Sequence, residues 1–459
     1  MTRTTVLLAT IALAILAACD ASPPDRPELV PTSPNGRVDF ELELVREVRA
    51  LAAEKGIGRL PPRPVIRQSL VLLGQVLAFD PLLSGNLDIS CMTCHVPAFG
   101  TGDGKSLSVG QGGVGLGPTR SHAKGVFIPR NAPPLFNLGA MRRLFWDGRI
   151  EVDAQGNVHT PAPDDELTEE MKSVFEFGAI SALGLFPVTN RLEMRGLVGD
   201  DNELAGIPDE DFSRIWDGLM ARLGAVGEYR GLFQSAYPGT AFEDMTFAHA
   251  SNAIAAFFID KLSSANSPWD KFLAGNDRAL TKRQLEGAKT FLSLRCVLCH
   301  NGATFSDQES HNVAVAQFGP GQGNGFEGRD DFGRMNVTGN PADIYKFRTT
   351  PLRNVELTAP YGHDGAFFDL REFIEHYSES HLKLLAFDDS KLELLLRGTV
   401  VPNATEILLN RDPILDGVVI PSSIIDQLMD YMTALTDPAA RNLNHIIPSR
   451  VPSGLPVLR

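Results

Sequence analysis

The chain has 459 residues and a net charge of −14, with 43% hydrophobic and 21% charged residues. This composition is typical of a globular protein of two or three domains, and it excludes a disordered, collagen-like or multi-span membrane chain. The excess of acidic side chains argues against nucleic acid, or an anionic membrane surface, as the main partner.

The N-terminus has the pattern of an export signal. An apolar run at residues 6–18 is too short to span a membrane comfortably. It ends in Leu16-Ala17-Ala18-Cys19, which resembles the lipobox of bacterial lipoproteins; the alternative is an ordinary secretory signal with a chance cysteine. We predict a signal peptide at 1–18, lipid attachment at Cys19 and a Pro- and Ser-rich tether at 19–37. The predicted location is the periplasm of a diderm bacterium, with the lipid anchor as the only membrane contact.

The other four cysteines lie in two copies of the pattern Cys-x-x-Cys-His. This is the attachment signature of c-type haem, in which two thiols bind the porphyrin vinyl groups and the histidine binds iron. A thioredoxin-like redox pair or half of a zinc site would leave the histidines without a role. We therefore predict two covalent haem c groups, with attachment and iron-binding residues Cys91, Cys94, His95, Cys296, Cys299 and His300.

Each haem motif follows an apolar segment, at 70–79 and 285–294. Residues 284–292 have the apolar spacing of a helix, and a helix running into Cys-x-x-Cys-His is how small cytochrome c domains begin. The predicted fold class is mainly α, with two tandem cytochrome-c-like haem domains and long glycine-rich loops. The predicted limits are an N-terminal haem domain at 38–275, a C-terminal haem domain at 276–440 and a tail at 441–459.

Further stretches resemble the bacterial di-haem cytochrome c peroxidase and MauG family. The resemblance runs from about residue 60 to 437, and its motifs outside the haem sites are LSG at 83–85, PRNAP at 129–133, FWDGR at 145–149, LRNV at 352–355, TAPYGHDG at 358–365 and ALTDP at 434–438. The resemblance implies that hydrogen peroxide reacts at the N-terminal haem. It also implies that the C-terminal haem passes electrons from a small cytochrome or cupredoxin.

The resemblance also assigns catalytic residues. Glu193 stands where the family keeps its acid/base, and Pro187 where a proline lines the same pocket. Trp146 stands where a tryptophan lies between the haems. The alternatives are a solvated loop charge for Glu193 and a packed core aromatic for Trp146.

Two metal-binding expectations follow from the same resemblance. Asn131, Thr358 and Pro360 match a calcium site, where one amide oxygen and two backbone carbonyls suit a hard cation. Tyr377 stands where the peroxidases have a methionine ligand to the second iron and the MauG branch has tyrosine. We favour Tyr377 as that ligand, with His376 as the alternative.

The sequence departs from the peroxidases around the first haem. Gln111 stands in place of a distal histidine, so a five-coordinate resting haem is expected, although His122 could substitute. Residues 151–185 are longer than usual, and the glutamine that lines the family's peroxide pocket has no clear counterpart. His363 is expected to lie near the second haem without binding its iron.

Three functions remain open at this stage. The leading one is a di-haem peroxidase. The second is MauG-like oxidation of side chains in a partner protein, favoured by Tyr377 and Gln111. The third is an electron-transfer cytochrome without catalysis, which predicts two six-coordinate haems and no role for Glu193.

Overall fold

The computed structural model describes residues 34–458, with side chains from residue 41 onward. The predicted signal peptide and Cys19 lie outside these residues. The first helix begins at Pro34, inside the predicted tether. Within the described part of the chain, no helix has the length and hydropathy to cross a bilayer.

The described residues are mainly helical, which confirms the predicted fold class. The α-helices are α1 Pro34–Glu54, α2 Gln68–Phe79, α3 Cys91–Cys94, α4 Glu169–Lys172, α5 Phe212–Ala225, α6 Gly227–Ala236, α7 Phe247–Leu262, α8 Pro268–Leu273, α9 Lys282–Ser293, α10 Cys296–Cys299, α11 Met335–Thr338, α12 Leu370–Tyr377, α13 Ser380–Leu385, α14 Ala404–Leu409 and α15 Ser422–Ala434. The short strands are β1 Arg143–Leu144, β2 Ile150–Val152, β3 Val158–His159, β4 Ser310–His311 and β5 Phe347–Arg348.

Both halves are built around a helix crossing next to a haem motif. Helix α2 leads towards α3 and packs across α7, and α9 leads into α10 and packs across α15. Each leading helix has a glycine at the crossing. A Cβ atom would lie 1.8 Å from the carbonyl oxygen of Ala253 at Gly74, and 2.1 Å from that of Gln427 at Gly287. Because neither position has room for a side chain, the two helix backbones can meet directly.

Two main hydrophobic cores surround these crossings. The core of the first half includes residues near the C-terminus, and the core of the second half includes residues near the N-terminus. The first core includes Ile446 and Val451 of the C-terminal tail. The second includes Val48 of α1, packed with Trp269 and Phe272 of α8. Val48 and Trp269 lie in the range predicted for the N-terminal domain but belong to the second core, and the domain limits at 275 and 440 stay a prediction.

The long segment at 151–185 supplies one wall of the first half. It contains β2 and β3, which extend an antiparallel sheet from β1, with Leu144 opposite Ile150 and Val152 opposite Val158. A 3₁₀ helix at Gly178–Leu185 follows and packs on α7.

A buried ion-pair cluster connects the two halves. Arg130 donates to Asp147 at 2.5 Å and to both carboxylate oxygens of Asp331 at 2.6 and 2.8 Å. All three side chains are at most 8% exposed. The cluster is continuous with Trp146, whose carbonyl accepts from the backbone N–H of Arg348.

Candidate active site

One cavity brings together the residues predicted for peroxide chemistry. Its volume is about 660 Å³, and its wall includes Cys91, Cys94, His95, Pro187 and Glu193. These residues come from positions about a hundred apart in the sequence, so only the fold makes them neighbours. Trp146 lies on the same wall.

His95 has the geometry of a proximal iron ligand. Its Nδ1 lies 2.9 Å from the carbonyl oxygen of Thr101, which holds the proton on Nδ1 and leaves Nε2 free for a metal. Burial lowers the pKa of His95, so the imidazole is neutral, as metal binding requires. Burial also raises the pKa of the Cys91 thiol to about 12.

Glu193 is carried on a single π-helical turn, Arg191–Arg195. The side chain of Asn190 caps this turn by accepting from the backbone N–H groups of Leu192 and Glu193 at 2.9 and 3.1 Å. Burial raises the pKa of Glu193, while the cations of Arg149 and Arg130 oppose the shift. A carboxyl group with a raised pKa that faces a cavity is suited to exchanging protons with a bound molecule.

A second cavity, of about 410 Å³, holds the corresponding residues of the second half. Its wall includes Cys296, Cys299, His300 and Tyr377. The Nδ1 of His300 lies 3.0 Å from the carbonyl oxygen of Phe305, the same arrangement as at His95. Burial lowers the pKa of His300, so this imidazole is neutral as well.

The structure separates the two candidates for the sixth ligand of the second iron. Tyr377 lines the cavity, and burial raises the pKa of its phenol. His376 is not among the residues that line this cavity, and its Nε2 lies 2.8 Å from the carbonyl oxygen of Val313. Met432 of α15 also lines the cavity. The sequence does not indicate this, because Met432 lies far from Tyr377 along the chain.

Trp146 lies on the walls of both cavities. Its Nε1–H donates to the carbonyl oxygen of Asn131 at 2.8 Å, which fixes the indole. Trp146 therefore borders both of the cavities in which haem is predicted, and its position between two haems stays a prediction. The indole is 8% exposed, so core packing and a position on an electron path are compatible.

Arg348 was not singled out from the sequence, yet it also lines both cavities. Its guanidinium donates to the carbonyl oxygens of Phe145 and Thr349 at 3.0 and 3.1 Å. None of the described carboxylates forms an ion pair with it, and burial lowers its pKa to about 10. A buried cation without an anion fits the carboxylate groups that a haem carries. The thiols, the neutral imidazoles and this cation together fit a c-type haem in each cavity.

The residues considered as distal ligands of the first iron face elsewhere. Gln111 and His122 are not among the residues that line the first cavity. The Nδ1 of His122 accepts from the backbone N–H of Lys124 at 3.1 Å, so the ring folds back on its own loop. Leu183 of the 3₁₀ helix lies on the cavity wall and makes it more apolar.

The predicted calcium residues Asn131, Thr358 and Pro360 meet on the wall of the second cavity. Nearby, both carboxylate oxygens of Asp364 are buried without a hydrogen bond of ordinary geometry. Burial raises the pKa of Asp364 well above its usual value. Carboxyl oxygens without hydrogen-bond partners are ligands that suit a hard cation. His363 stacks on Phe347 with ring centroids 3.7 Å apart and lines the same cavity.

Several known proteins are similar to this chain in sequence. The family model for di-haem cytochrome c peroxidase matches residues 68–278. Cytochrome c551 peroxidase of Pseudomonas aeruginosa is 32% identical over 326 residues, which are 69% of this chain and 74% of that protein. This chain belongs to the di-haem cytochrome c peroxidase family. The methylamine utilization protein MauG of Methylorubrum extorquens is 29% identical, over 67% of this chain and 68% of that protein.

Solved structures share the fold. A MauG-like protein associated with microbial copper homeostasis has a TM-score of 0.57 at 23% identity, covering 85% of this chain and 97% of that one. The di-haem peroxidase BthA of Burkholderia thailandensis has a TM-score of 0.57 at 19% identity, covering 87% and 95%. Membership of the family makes this di-haem peroxidase an oxidoreductase with two c-type haems and hydrogen peroxide as its substrate.

Proposed function

We propose that this di-haem peroxidase reduces hydrogen peroxide in the first cavity and is recharged with electrons through the second. The proposal rests on one observation: Trp146 lines both cavities. Glu193 and His95 line the first cavity, and Tyr377 lines the second. When bound, the haem supplies the iron at which the O–O bond is cleaved.

Glu193 acts as the acid/base in this proposal. As a carboxylate it accepts a proton from one oxygen of peroxide, and as an acid it returns that proton to the oxygen that leaves as water. Two electrons and two protons convert each peroxide to two water molecules. The cations of Arg149 and Arg130 oppose the rise of its pKa and keep the carboxylate accessible. Pro187 and Leu183 make the adjoining wall apolar, which limits competing water.

Trp146 and Arg348 connect the two cavities in this proposal. Trp146 is held by its bond to the carbonyl of Asn131 and offers an aromatic step for an electron between the haem sites. Arg348 supplies positive charge to both sites. The external donor is a small cytochrome or a cupredoxin.

We assign the resting state to the MauG-like branch. Gln111 and His122 do not line the first cavity, so His95 would be the protein ligand of the first iron. Tyr377 would bind the second iron, because Tyr377 lines the second cavity and His376 is not among the residues that line it. A phenolate donates more electron density than a thioether and lowers the potential of the second haem.

The remaining assignments concern ions and location. In this proposal Asn131, Thr358 and Pro360 hold a calcium ion near the carboxyl oxygens of Asp364, which have no hydrogen-bond partner among the described residues. The protein is exported to the periplasm and anchored through Cys19, which the signal and lipobox pattern supports.

The test uses the haem-loaded mature protein in its oxidised form. One equivalent of peroxide should react rapidly without prior reduction. Glu193→Gln should slow the reaction by about 10²- to 10⁴-fold, the usual contribution of a positioned acid/base. The matched control is Glu210→Gln, an exposed carboxylate outside the cavity that should leave the rate unchanged. Two low-spin haems that react only after one-electron reduction would overturn the five-coordinate assignment. No reaction in either state would leave an electron-transfer cytochrome.

A second function is favoured by Tyr377 in the second cavity. In this alternative the reductant is a partner protein whose side chains are oxidised at long range, as the similarity to MauG suggests. Steady-state turnover with a small cytochrome or cupredoxin would favour the first function. Stable accumulation of the peroxide-oxidised protein in the presence of those donors would favour the second.

A further inference from the structure

Three loops meet at the rim of the first cavity and are tied by side-chain hydrogen bonds. The loops are residues 84–90 before the first haem motif, the glycine-rich loop at 104–125, and residues 190–203, which carry Glu193. Gln111 is 6% exposed, and its Oε1 accepts from the Nδ2 of Asn86 at 2.6 Å. Its Nε2 donates to the Oδ2 of Asp200 at 3.1 Å.

Asp200 is the acceptor on which these bonds converge. The same Oδ2 also accepts from the Nδ2 of Asn86 at 2.9 Å and from the backbone N–H of Leu197 at 2.9 Å. Asn202 completes the ring by donating to the Oδ1 of Asn86 at 2.7 Å. Hydrogen bonds to a carboxylate are stronger than those between neutral groups, so Asp200 holds the three loops together.

The cluster is coupled directly to the backbone of Glu193. The backbone N–H of Gln111 donates to the carbonyl oxygen of Glu193 at 3.1 Å, and that of Gly85 donates to Met194 at 2.7 Å. The turn that carries Glu193 is therefore bonded on both sides to loops that end in the Asp200 cluster. A shift of Gln111 moves the backbone from which the Glu193 side chain projects.

We infer that Gln111 and Asp200 are positioning residues that hold Glu193 over the first haem site in a peroxide-ready arrangement, independent of the redox state. The inference rests on the proposed function of Glu193. Its basis is that the Oε1 and the Nε2 of Gln111 are bonded to Asn86 and Asp200, and that its backbone N–H is bonded to the carbonyl oxygen of Glu193. The glycine-rich loop is thereby fixed at rest, with neither Gln111 nor His122 in the cavity.

The test exchanges the donor and acceptor of one bond. Gln111→Glu places two carboxylates together, and Asp200→Asn removes the charged acceptor. In the double variant, the amide of residue 200 donates to the carboxylate of residue 111. The Nδ2 of Asn86 can still donate to a side-chain oxygen of each of these two residues. Each single variant should lower the rate of the peroxide reaction by about 10- to 100-fold, because small misplacements of catalytic groups have effects of this size. The double variant should recover most of that rate.

Two further measurements separate positioning from loss of structure. Haem content and thermal unfolding identify a variant that fails to fold, and Asn86→Ala then replaces it as a test of the same cluster. The electron paramagnetic resonance spectrum should show a new low-spin fraction of the first haem in the single variants, which disappears in the double variant. The control is Asp201→Asn, an exposed neighbour with the same charge change, which should alter neither readout.

The outcomes distinguish this inference from the proposed function. If Glu193→Gln slows the reaction while Gln111→Glu and Asp200→Asn do not, the positioning role is wrong and the acid/base role stands. Equal losses in the single and double variants would also overturn it, since the contact itself would not matter. If Glu193→Gln has no effect on the reaction rate, the proposed acid/base role is wrong, and the positioning inference that rests on it is wrong as well.

Discussion

The buried Arg130 cluster gives the most quantitative test of how the two halves are held together. In Arg130→Met, the carboxylates of Asp147 and Asp331 stay buried but lose their shared cation. Asp147 keeps Arg149 at 3.1 Å, whereas Asp331 keeps the backbone N–H of Gly333 at 2.9 Å. Breaking a buried ion pair by removing one partner costs about 3–5 kcal/mol. We expect a loss near the lower end, about 3 kcal/mol, because Asp147 remains partly compensated.

The loss should depend on pH with a definite sign. Burial acts to raise the pKa of Asp147 and Asp331, but the neighbouring cations outweigh it and hold both below the ordinary value of 3.8. In the wild type, this stabilisation is present above about pH 4 and is lost as the pH falls through the lowered folded-state pKa values. Without Arg130, burial dominates and raises the pKa of Asp331, so mild acid neutralises the uncompensated charge. The deficit of the variant should therefore shrink as the pH falls.

The assay is denaturant unfolding of the haem-loaded protein, followed by circular dichroism at pH 7 and at pH 5. The control is Arg214→Met, which removes an exposed pair with Asp211 and should cost at most about 1 kcal/mol. A loss below about 1 kcal/mol for Arg130→Met at pH 7, or a loss of equal size at both pH values, would refute the reasoning.

Four other outcomes are expected. Gly287→Ala should destabilise the protein by about 1–3 kcal/mol, because its Cβ would lie 2.1 Å from the carbonyl oxygen of Gln427. The control is Gly231→Ala, which has open space around it and should leave stability unchanged. Equal effects of the two variants in a thermal melt would contradict the helix-crossing argument. Tyr377→Phe should change the absorption spectrum of the second haem, whereas His376→Ala should lower stability and leave that spectrum intact. Trp146→Phe should slow electron transfer between the haems in stopped-flow experiments without slowing peroxide cleavage; unchanged transfer would remove the indole from the path. Since burial raises the pKa of Glu193, the peroxide rate should fall as the pH drops through a midpoint above 4.5, and Glu193→Gln should lack that limb.

Covalent haem attachment could be predicted from the sequence because its chemistry is local. Two thiols and an imidazole within five consecutive residues are sufficient, and α3 and α10 form from those residues themselves. The leading helices α2 and α9 follow from apolar periodicity, which is also local. Glu193, Pro187 and Trp146 were predicted through family motifs, and the structure places all three on the wall of the first cavity.

The direction of individual side chains could not be predicted in this way. His376 and Tyr377 are adjacent on α12, but successive helical side chains point about 100° apart, so only the packing of α12 decides which one faces the cavity. Gln111 is turned towards Asn86 and Asp200 by contacts with two other loops. Arg348 and Met432 reach the cavity through β5 and α15, which approach it from distant parts of the chain.

The sequence by itself determined the cofactor, the helical class and the family, because each depends on residues that are close together along the chain. The tertiary structure decided which residues share a cavity and that Trp146 and Arg348 line both cavities. It also decided that α1 packs in the second core and the C-terminal tail in the first. These features depend on contacts between residues that are far apart in sequence. Burial and charge at such positions, as at Glu193 and Arg130, arise only when the whole chain has folded.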